Sequence, residues 1–112
     1  MKAIGIKREP KDNELLKIIN LRALNCHANN ISSLEPLSSL KNLQQLALQN
    51  NQIRRLDPLV SLTHLRKLFC GNNKIVSLAP LKQLKKLQYL SCWKNNITTN
   101  YKFIKFTKIR LL

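Results

Sequence analysis

Acidic residues are scarce in this chain of 112 residues, which has 5 Asp and Glu against 20 Lys and Arg and a formal net charge of +15. Glycine is scarce too, with 2 residues, which excludes collagen-like sequence and any glycine-rich phosphate loop. No apolar run is long enough to cross a bilayer. The length suits a single domain, and the basic charge fits either an anionic partner or a bias in composition.

The chain repeats itself every 22 residues over residues 21–108. Each block follows the pattern LxxLx(L/C)xxNxIxxLxxLxxL, and Asn100 is the one polar residue where that pattern requires an apolar one. Such self-similarity is typical of solenoids, in which each coil buries its apolar face against its neighbours. The four blocks are LRALNCHANNISSLEPLSSLKN, LQQLALQNNQIRRLDPLVSLTH, LRKLFCGNNKIVSLAPLKQLKK and LQYLSCWKNNITTNYKFIKFTK.

These blocks resemble the 22-residue class of the leucine-rich-repeat family, which includes bacterial internalins and a regulatory subunit of type-1 protein phosphatase. The Pro-Leu steps that begin at Pro36, Pro58 and Pro80 are most similar to the internalin version. The resemblance implies an α/β fold, a right-handed curved solenoid with a parallel sheet on its concave side. Short 3₁₀ or extended segments are implied for the convex side.

The residues give physical reasons for the same shape. The start of each block alternates, so that Leu24 and Cys26 point inward from a short strand. Leucines spaced by three drift around an α-helix, and Pro36 would break a helix interior at a cost of about 3 kcal/mol. A recurring Asn follows each strand, and its amide can pair with backbone groups left open by a turn. We therefore predict a structural ladder of Asn29, Asn51, Asn73 and Asn95.

Both ends of the repeat region depart from the pattern. Residues 1–20 are predicted to form an amino-terminal cap or a degenerate repeat, with a short helix from about Asp12. Residues 109–112 read as the truncated start of a fifth repeat. No polar cap follows, so we expect a fragment, a gene remnant or an end that self-associates end to end.

The sequence contains no constellation typical of catalysis. His27 and His64 lie in different parts of the coil, and the acids are too few for a paired-carboxylate site. We therefore expect no enzyme activity, no cofactor and no metal. The amino end lacks an apolar stretch of secretory length, which predicts a cytoplasmic protein, or a nuclear one in a eukaryote.

Three cysteines, an odd number without the close spacing of a disulfide-stapled cap, favour a reducing compartment. Cys26, Cys70 and Cys92 share one inward column, which Leu48 also occupies. One hypothesis is a metal site or a redox pair on neighbouring strands. The simpler interpretation is that buried thiols serve as small apolar fillers.

Aromatic residues gather on the predicted concave face, at outward positions of the last two strands. Phe69 is expected next to Tyr89 and Trp93, Gly71 leaves room for the indole, and Ser91 faces outward among them. Exposed aromatic side chains next to lysine are typical of interface hot spots. The alternative is that these aromatic side chains only cover the core near the end of the solenoid. The residues predicted to bind a partner are Phe69, Tyr89, Trp93, Lys67, His27, Gln45 and Gln49.

Positive charge is concentrated in the carboxyl-terminal half. Residues 1–58 hold 9 Lys and Arg with 5 acids, whereas residues 59–112 hold 11 Lys and Arg and no acid. We expect a non-enzymatic module that binds a protein partner through the concave face. The alternative is a basic module that binds nucleic acid or an anionic surface through its lysine-rich carboxyl-terminal half, with steep salt dependence.

Overall fold

A computed structural model describes residues 21–98 and a strand at 110–111. The predicted amino-terminal cap and its short helix lie outside the described residues. Five parallel strands form one sheet in chain order, and three 3₁₀ helices connect the first four strands. The strands are β1 (Ala23–Asn25), β2 (Gln45–Ala47), β3 (Lys67–Phe69), β4 (Tyr89–Ser91) and β5 (Arg110–Leu111), and the 3₁₀ helices are η1 (Glu35–Leu37), η2 (Asp57–Ser61) and η3 (Ala79–Gln83).

The sheet register follows the 22-residue repeat through the first four strands. Leu24 lies opposite Leu46, and the same pairing continues through Leu68 to Leu90. These four leucines are buried, while the residues on either side of Leu24, Leu46 and Leu68 are half-buried. The alternation places one leucine of each strand in the core and its neighbours on the concave face.

Backbone hydrogen bonds between coils extend beyond the three-residue strands. The Cys26 N–H donates to the Ala47 carbonyl at 2.7 Å, and the Ala28 N–H donates to the Gln49 carbonyl at 3.0 Å. The same two bonds recur one and two coils later. Each coil is thereby fixed to the next over about six residues, so the position after the strand is also held in register.

The leucines spaced by three form the convex side as 3₁₀ turns. Each of these leucines donates its backbone N–H to the carbonyl of the leucine three residues earlier. The distances are 2.9 Å from Leu59 to Leu56, 3.0 Å from Leu62 to Leu59 and 3.1 Å from Leu65 to Leu62. A 3₁₀ helix has three residues per turn, so a three-residue spacing keeps these side chains on one face, where all four are buried. Pro58 lies in the first turn, where a backbone N–H has no intrahelical partner. The predicted solenoid with 3₁₀ convex segments is confirmed.

The core is one continuous stack of aliphatic side chains along the solenoid axis. Among the described residues, Leu46, Ile53, Leu56 and Leu68 have no solvent exposure at all, and the equivalents on the first coil are less completely covered. Cys70 is also fully buried in this stack. Within the described residues, no helix has the length and apolar character needed to cross a membrane.

The fifth strand departs from the 22-residue spacing. Tyr89 pairs with Arg110 and Leu90 with Leu111, a spacing of 21 residues between β4 and β5. The repeat that begins at Ile109 in the sequence pattern is therefore one residue out of step with the strand. The fourth block is also the one that loses the repeat pattern, at Asn100.

Candidate protein-interaction surface

The asparagines that follow the strands cross-link successive coils. The Asn51 Oδ1 accepts from the N–H groups of Asn29 and Ile31, both at 2.9 Å. The Asn51 Nδ2 donates to the carbonyls of Cys26 at 3.0 Å and Leu48 at 2.9 Å. One amide thus pairs with backbone groups of its own coil and of the coil before it, which holds the concave strands at a fixed spacing.

Asn73 and Asn95 repeat this arrangement one and two coils later. The Asn73 Nδ2 donates to the backbone carbonyls of Leu48 and Cys70, each at 3.0 Å. The Asn95 Oδ1 accepts a hydrogen bond from the backbone N–H of Ile75 at 3.0 Å. Asn29 differs, because its side chain is exposed and its Nδ2 donates within the same coil, to the His27 carbonyl at 3.0 Å.

A second column of turn residues was missed by the sequence reasoning. Ala28, Asn50, Asn72 and Lys94 are 22 residues apart and have positive φ, between 48° and 62°. Asparagine tolerates this left-handed conformation better than most residues other than glycine. The Asn72 Nδ2 also donates to the Asn50 Oδ1 at 2.8 Å across the coils. Asn-Asn steps at the same place in successive blocks are the sequence signal for this column.

Lys67 and Tyr89 form the centre of the concave face. They lie directly opposite each other on β3 and β4, and the Lys67 Nζ is 5.2 Å from the centroid of the Tyr89 ring. An ammonium at this distance is attracted by the negative face of the ring. Both side chains are half-buried, as is Phe69 two residues further along β3. The pairing orients the lysine across the sheet and leaves part of each side chain open to a partner.

Trp93 lies across Gly71 at the carboxyl end of these strands. A Cβ added at Gly71 would overlap the indole ring, so the absent side chain makes room for Trp93. The Trp93 side chain is 46% exposed, and the Lys94 Nζ lies 6.0 Å from its centroid. We call Lys67, Phe69, Tyr89 and Trp93 the aromatic patch.

Ser91 adds less surface to this face than its outward position in the strand suggests. It was predicted to face outward, but it is only 7% exposed. Ser91 pairs in register with Phe69, so the larger aromatic side chain lies next to it on the concave face. A short side chain beside a larger one contributes little surface, so the open part of β4 on the concave face is Tyr89.

The other predicted binding residues lie on the first two coils. Gln45 is half-buried on β2, next to Lys67 in register. Gln49 is half-buried, and its Oε1 is covered and without a hydrogen-bond partner among the described residues. His27 is exposed, and its Nδ1 lies 2.7 Å from the Asn25 Oδ1. His27 is three strands from Trp93 in the same column, roughly 14 Å at the usual strand spacing, so the structure does not place it in the aromatic patch.

The cysteines lie in the inward column. Burial raises the pKa of the Cys70 thiol strongly, and the adjacent Cys92 raises it further. Burial also raises the pKa of Cys26 and of Cys92, which are half-buried. A raised pKa keeps each thiol protonated at neutral pH, whereas a metal ligand or nucleophile must be a thiolate. Among the residues described, no three His, Cys, Asp or Glu side chains are grouped as they would be around a metal ion.

A family profile for Leucine Rich repeats (2 copies) matches residues 19–61 and 63–105. The chain belongs to the leucine-rich-repeat family. This confirms the family predicted from the 22-residue blocks. Leucine-rich repeats are in general protein-interaction modules.

Solved leucine-rich-repeat structures superimpose on the chain. Internalin C2 of Listeria monocytogenes is 32% identical with a TM-score of 0.74, and the match covers 88% of this chain and 45% of that one. A second Listeria internalin, InlF, is 31% identical with a TM-score of 0.79, and the match covers 91% of this chain and 30% of that one. The chain therefore spans less than half the length of these internalins.

A further leucine-rich-repeat likeness concerns the fold alone. The SNF/U2A′ complex of Drosophila melanogaster is 21% identical with a TM-score of 0.66, and the match covers 99% of this chain and 69% of that one. A comparison with curated proteins gives no match.

Proposed function

We propose that this chain binds a protein partner through its concave face, with the aromatic patch at the centre of the interface. The observation that carries the proposal is the exposed Trp93 indole seated on Gly71, on the same face of the sheet as the Lys67–Tyr89 pair. Tryptophan and tyrosine supply large contact areas at low entropic cost and dominate binding energy at interfaces. A rigid sheet holds these side chains in place before binding, which reduces the ordering cost.

The charge around the patch indicates the chemistry of the partner. Lys67 and Lys94 lie beside its rings, and residues 59–112 contain no acid. A complementary partner surface has apolar side chains for Trp93 and Phe69, bordered by carboxylates for the two lysines. The second coil offers two uncharged polar side chains, Gln45 and Gln49, which suit the polar rim of such an interface.

The test is partner capture by the intact chain, compared with Trp93→Ala. Because Trp93 is 46% exposed and lies outside the leucine stack, its removal leaves the fold cooperative and abolishes capture. His64→Ala is the matched control, since it removes an exposed ring whose Nδ1 contacts the Lys41 carbonyl at 3.2 Å, away from the concave strands. Equal capture by the wild type and by Trp93→Ala contradicts the proposal.

A second candidate function is binding of nucleic acid or another anionic surface by the basic half. The supporting observation is that Lys82, Lys85 and Lys86 are all exposed on or beside η3. Binding through phosphate contacts weakens steeply with salt. Retention on heparin or RNA is therefore measured across a salt titration. Loss at moderate salt favours this function, whereas partner binding that survives moderate salt favours the aromatic patch.

A further inference from the structure

A groove on the convex side is separate from the concave aromatic patch. It has a volume of about 680 Å³ and lies between the second and third coils, alongside η2 and η3. Residues from both coils line it, and part of the lining comes from equivalent positions of the two coils, such as Arg54 and Val76. The lining includes Arg54, Arg55, Asp57, Val60, Val76 and Pro80.

Two exposed valines give the groove its apolar walls. Val60 is 40% exposed and Val76 is 46% exposed. They are two of the three large hydrophobic side chains exposed within the described residues, and the third is Trp93 on the other side of the solenoid. Pro80 also lines the groove and adds further apolar surface. An open groove of this kind accepts an aliphatic side chain from an extended segment.

Two arginines give the same groove a charged wall. Arg54 and Arg55 are both exposed, and within residues 21–98 neither guanidinium has an ion pair or a side-chain hydrogen bond. Asp57 is the one acid among the lining residues. An exposed guanidinium presents a planar fork of donors that matches a carboxylate in a bidentate contact.

The repeat itself does not require these side chains. The first coil has the same backbone pattern, but small hydroxyl side chains stand at the positions equivalent to Arg54, Arg55 and Val60. The combination of charge and apolar surface therefore belongs to this coil pair and is not imposed by the solenoid. The equivalent residues of the first coil, 22 positions earlier in each case, are Ser32, Ser33 and Ser38.

We propose that this groove binds an acidic, aliphatic segment of a protein partner. An aliphatic side chain of the segment packs between Val60 and Val76, and a neighbouring carboxylate accepts hydrogen bonds from Arg54 or Arg55. Charge complementarity selects this occupant, because the two unpaired arginines outnumber the one acid of the groove. This contact is independent of the aromatic patch, which lies on the opposite face.

Short random peptides displayed on phage are selected for binding to the full chain carrying Trp93→Ala. This substitution is included so that the aromatic patch on the concave face does not capture the peptides. Selected sequences are expected to place Leu, Ile or Val next to Asp or Glu. The affinity of a synthetic copy is then measured for three further variants in the same background. Arg54→Ser with Arg55→Ser weakens binding about tenfold or more, Val60→Ser weakens it about fivefold, and Lys74→Gln changes it less than about twofold.

The variants are chosen so that folding does not obscure the result. Serine already stands at the equivalent positions of the first coil, and glutamine stands at Gln52, the equivalent of Lys74 on the second coil. Thermal unfolding checks that each variant remains folded. Peptides without acidic residues, no selected peptide at all, or equal losses in the arginine variant and in Lys74→Gln overturn the proposal. Because the selection uses Trp93→Ala, these outcomes are distinct from a failure of the concave-face function.

Discussion

At the scale of single residues, the turn after each of the first four strands places one member of the column Ala28, Asn50, Asn72 and Lys94 in the left-handed region, and Asn30 on the first coil is left-handed as well. Asn50 and Asn72 suit that conformation, whereas Ala28 and Lys94 carry a Cβ without a side chain that stabilises it. The strain costs roughly 1 kcal/mol for such a residue. The first and fourth coils are therefore less well adapted at this position than the two central coils.

Ala28→Asn is expected to stabilise the chain. Asparagine relieves the strain at φ 56°, and the Asn50 Nδ2 gains an acceptor in the manner of the bond from Asn72 to Asn50. The free energy of unfolding rises by about 1 kcal/mol. Chemical denaturation measures it, with Ser32→Asn as a control at an exposed position. A decrease in stability, or an equal gain from the control, contradicts this explanation.

Gly71→Ala is expected to displace the Trp93 indole. The new Cβ overlaps the ring, so the fold loses about 1–3 kcal/mol and the tryptophan emission shifts to the red. The same substitution is tolerated in a Trp93→Ala background, because the clash is gone. A double-mutant cycle in urea measures the coupling. Additive losses would indicate that Gly71 is needed for a reason other than the indole.

At the scale of the repeating element, the buried asparagine is the connection between coils. Asn73 is 7% exposed, its Oδ1 accepts from the Ile53 N–H at 3.0 Å, and its Nδ2 donates to carbonyls of two coils. Asn73→Ala leaves these buried backbone groups without partners, which costs about 3 kcal/mol or more. Asn29→Ala removes an exposed amide and costs less than about 1 kcal/mol. Unfolding of both variants is compared by denaturation.

Equal losses from the two asparagine variants would contradict this account of the ladder. The expected difference comes from burial, because water replaces the partners of Asn29 but cannot reach those of Asn73. The asparagine column is visible in the sequence. The difference in burial between Asn29 and Asn73 is not, because it depends on how neighbouring coils cover each side chain.

The strands could be predicted because the alternation at Leu24 and Leu46 is a direct consequence of strand geometry. The convex 3₁₀ or extended segments are implied by the resemblance to the leucine-rich-repeat family, and the three-residue spacing of the leucines excludes only a continuous α-helix. Two features could not be predicted in this way. The β4–β5 register shifts by one residue after an irregular block, and Ser91 is only 7% exposed beside Phe69. Both depend on contacts between strands that no single block encodes.

At the scale of the whole molecule, the solenoid separates two surfaces of different chemistry. The concave face carries the aromatic patch, and the convex side carries the groove of Val60, Val76 and the two arginines. The aromatic patch could be predicted from outward strand positions. The groove could not, because it forms between two coils from residues that look like ordinary solvent-facing positions in each block. Two lysines lie beside the rings of the patch and two arginines line the groove, so acidic partners are favoured at each surface.

The dissociation constant of a captured partner for the wild type and for Trp93→Ala tests the central claim most directly, measured at low and at moderate salt. The account predicts that Trp93→Ala weakens binding at least about thirtyfold, or about 2 kcal/mol, at both salt concentrations. Wild-type affinity is expected to survive moderate salt. An unchanged affinity in Trp93→Ala, together with a steep loss of wild-type binding as salt rises, would contradict the claim and assign binding to the basic half.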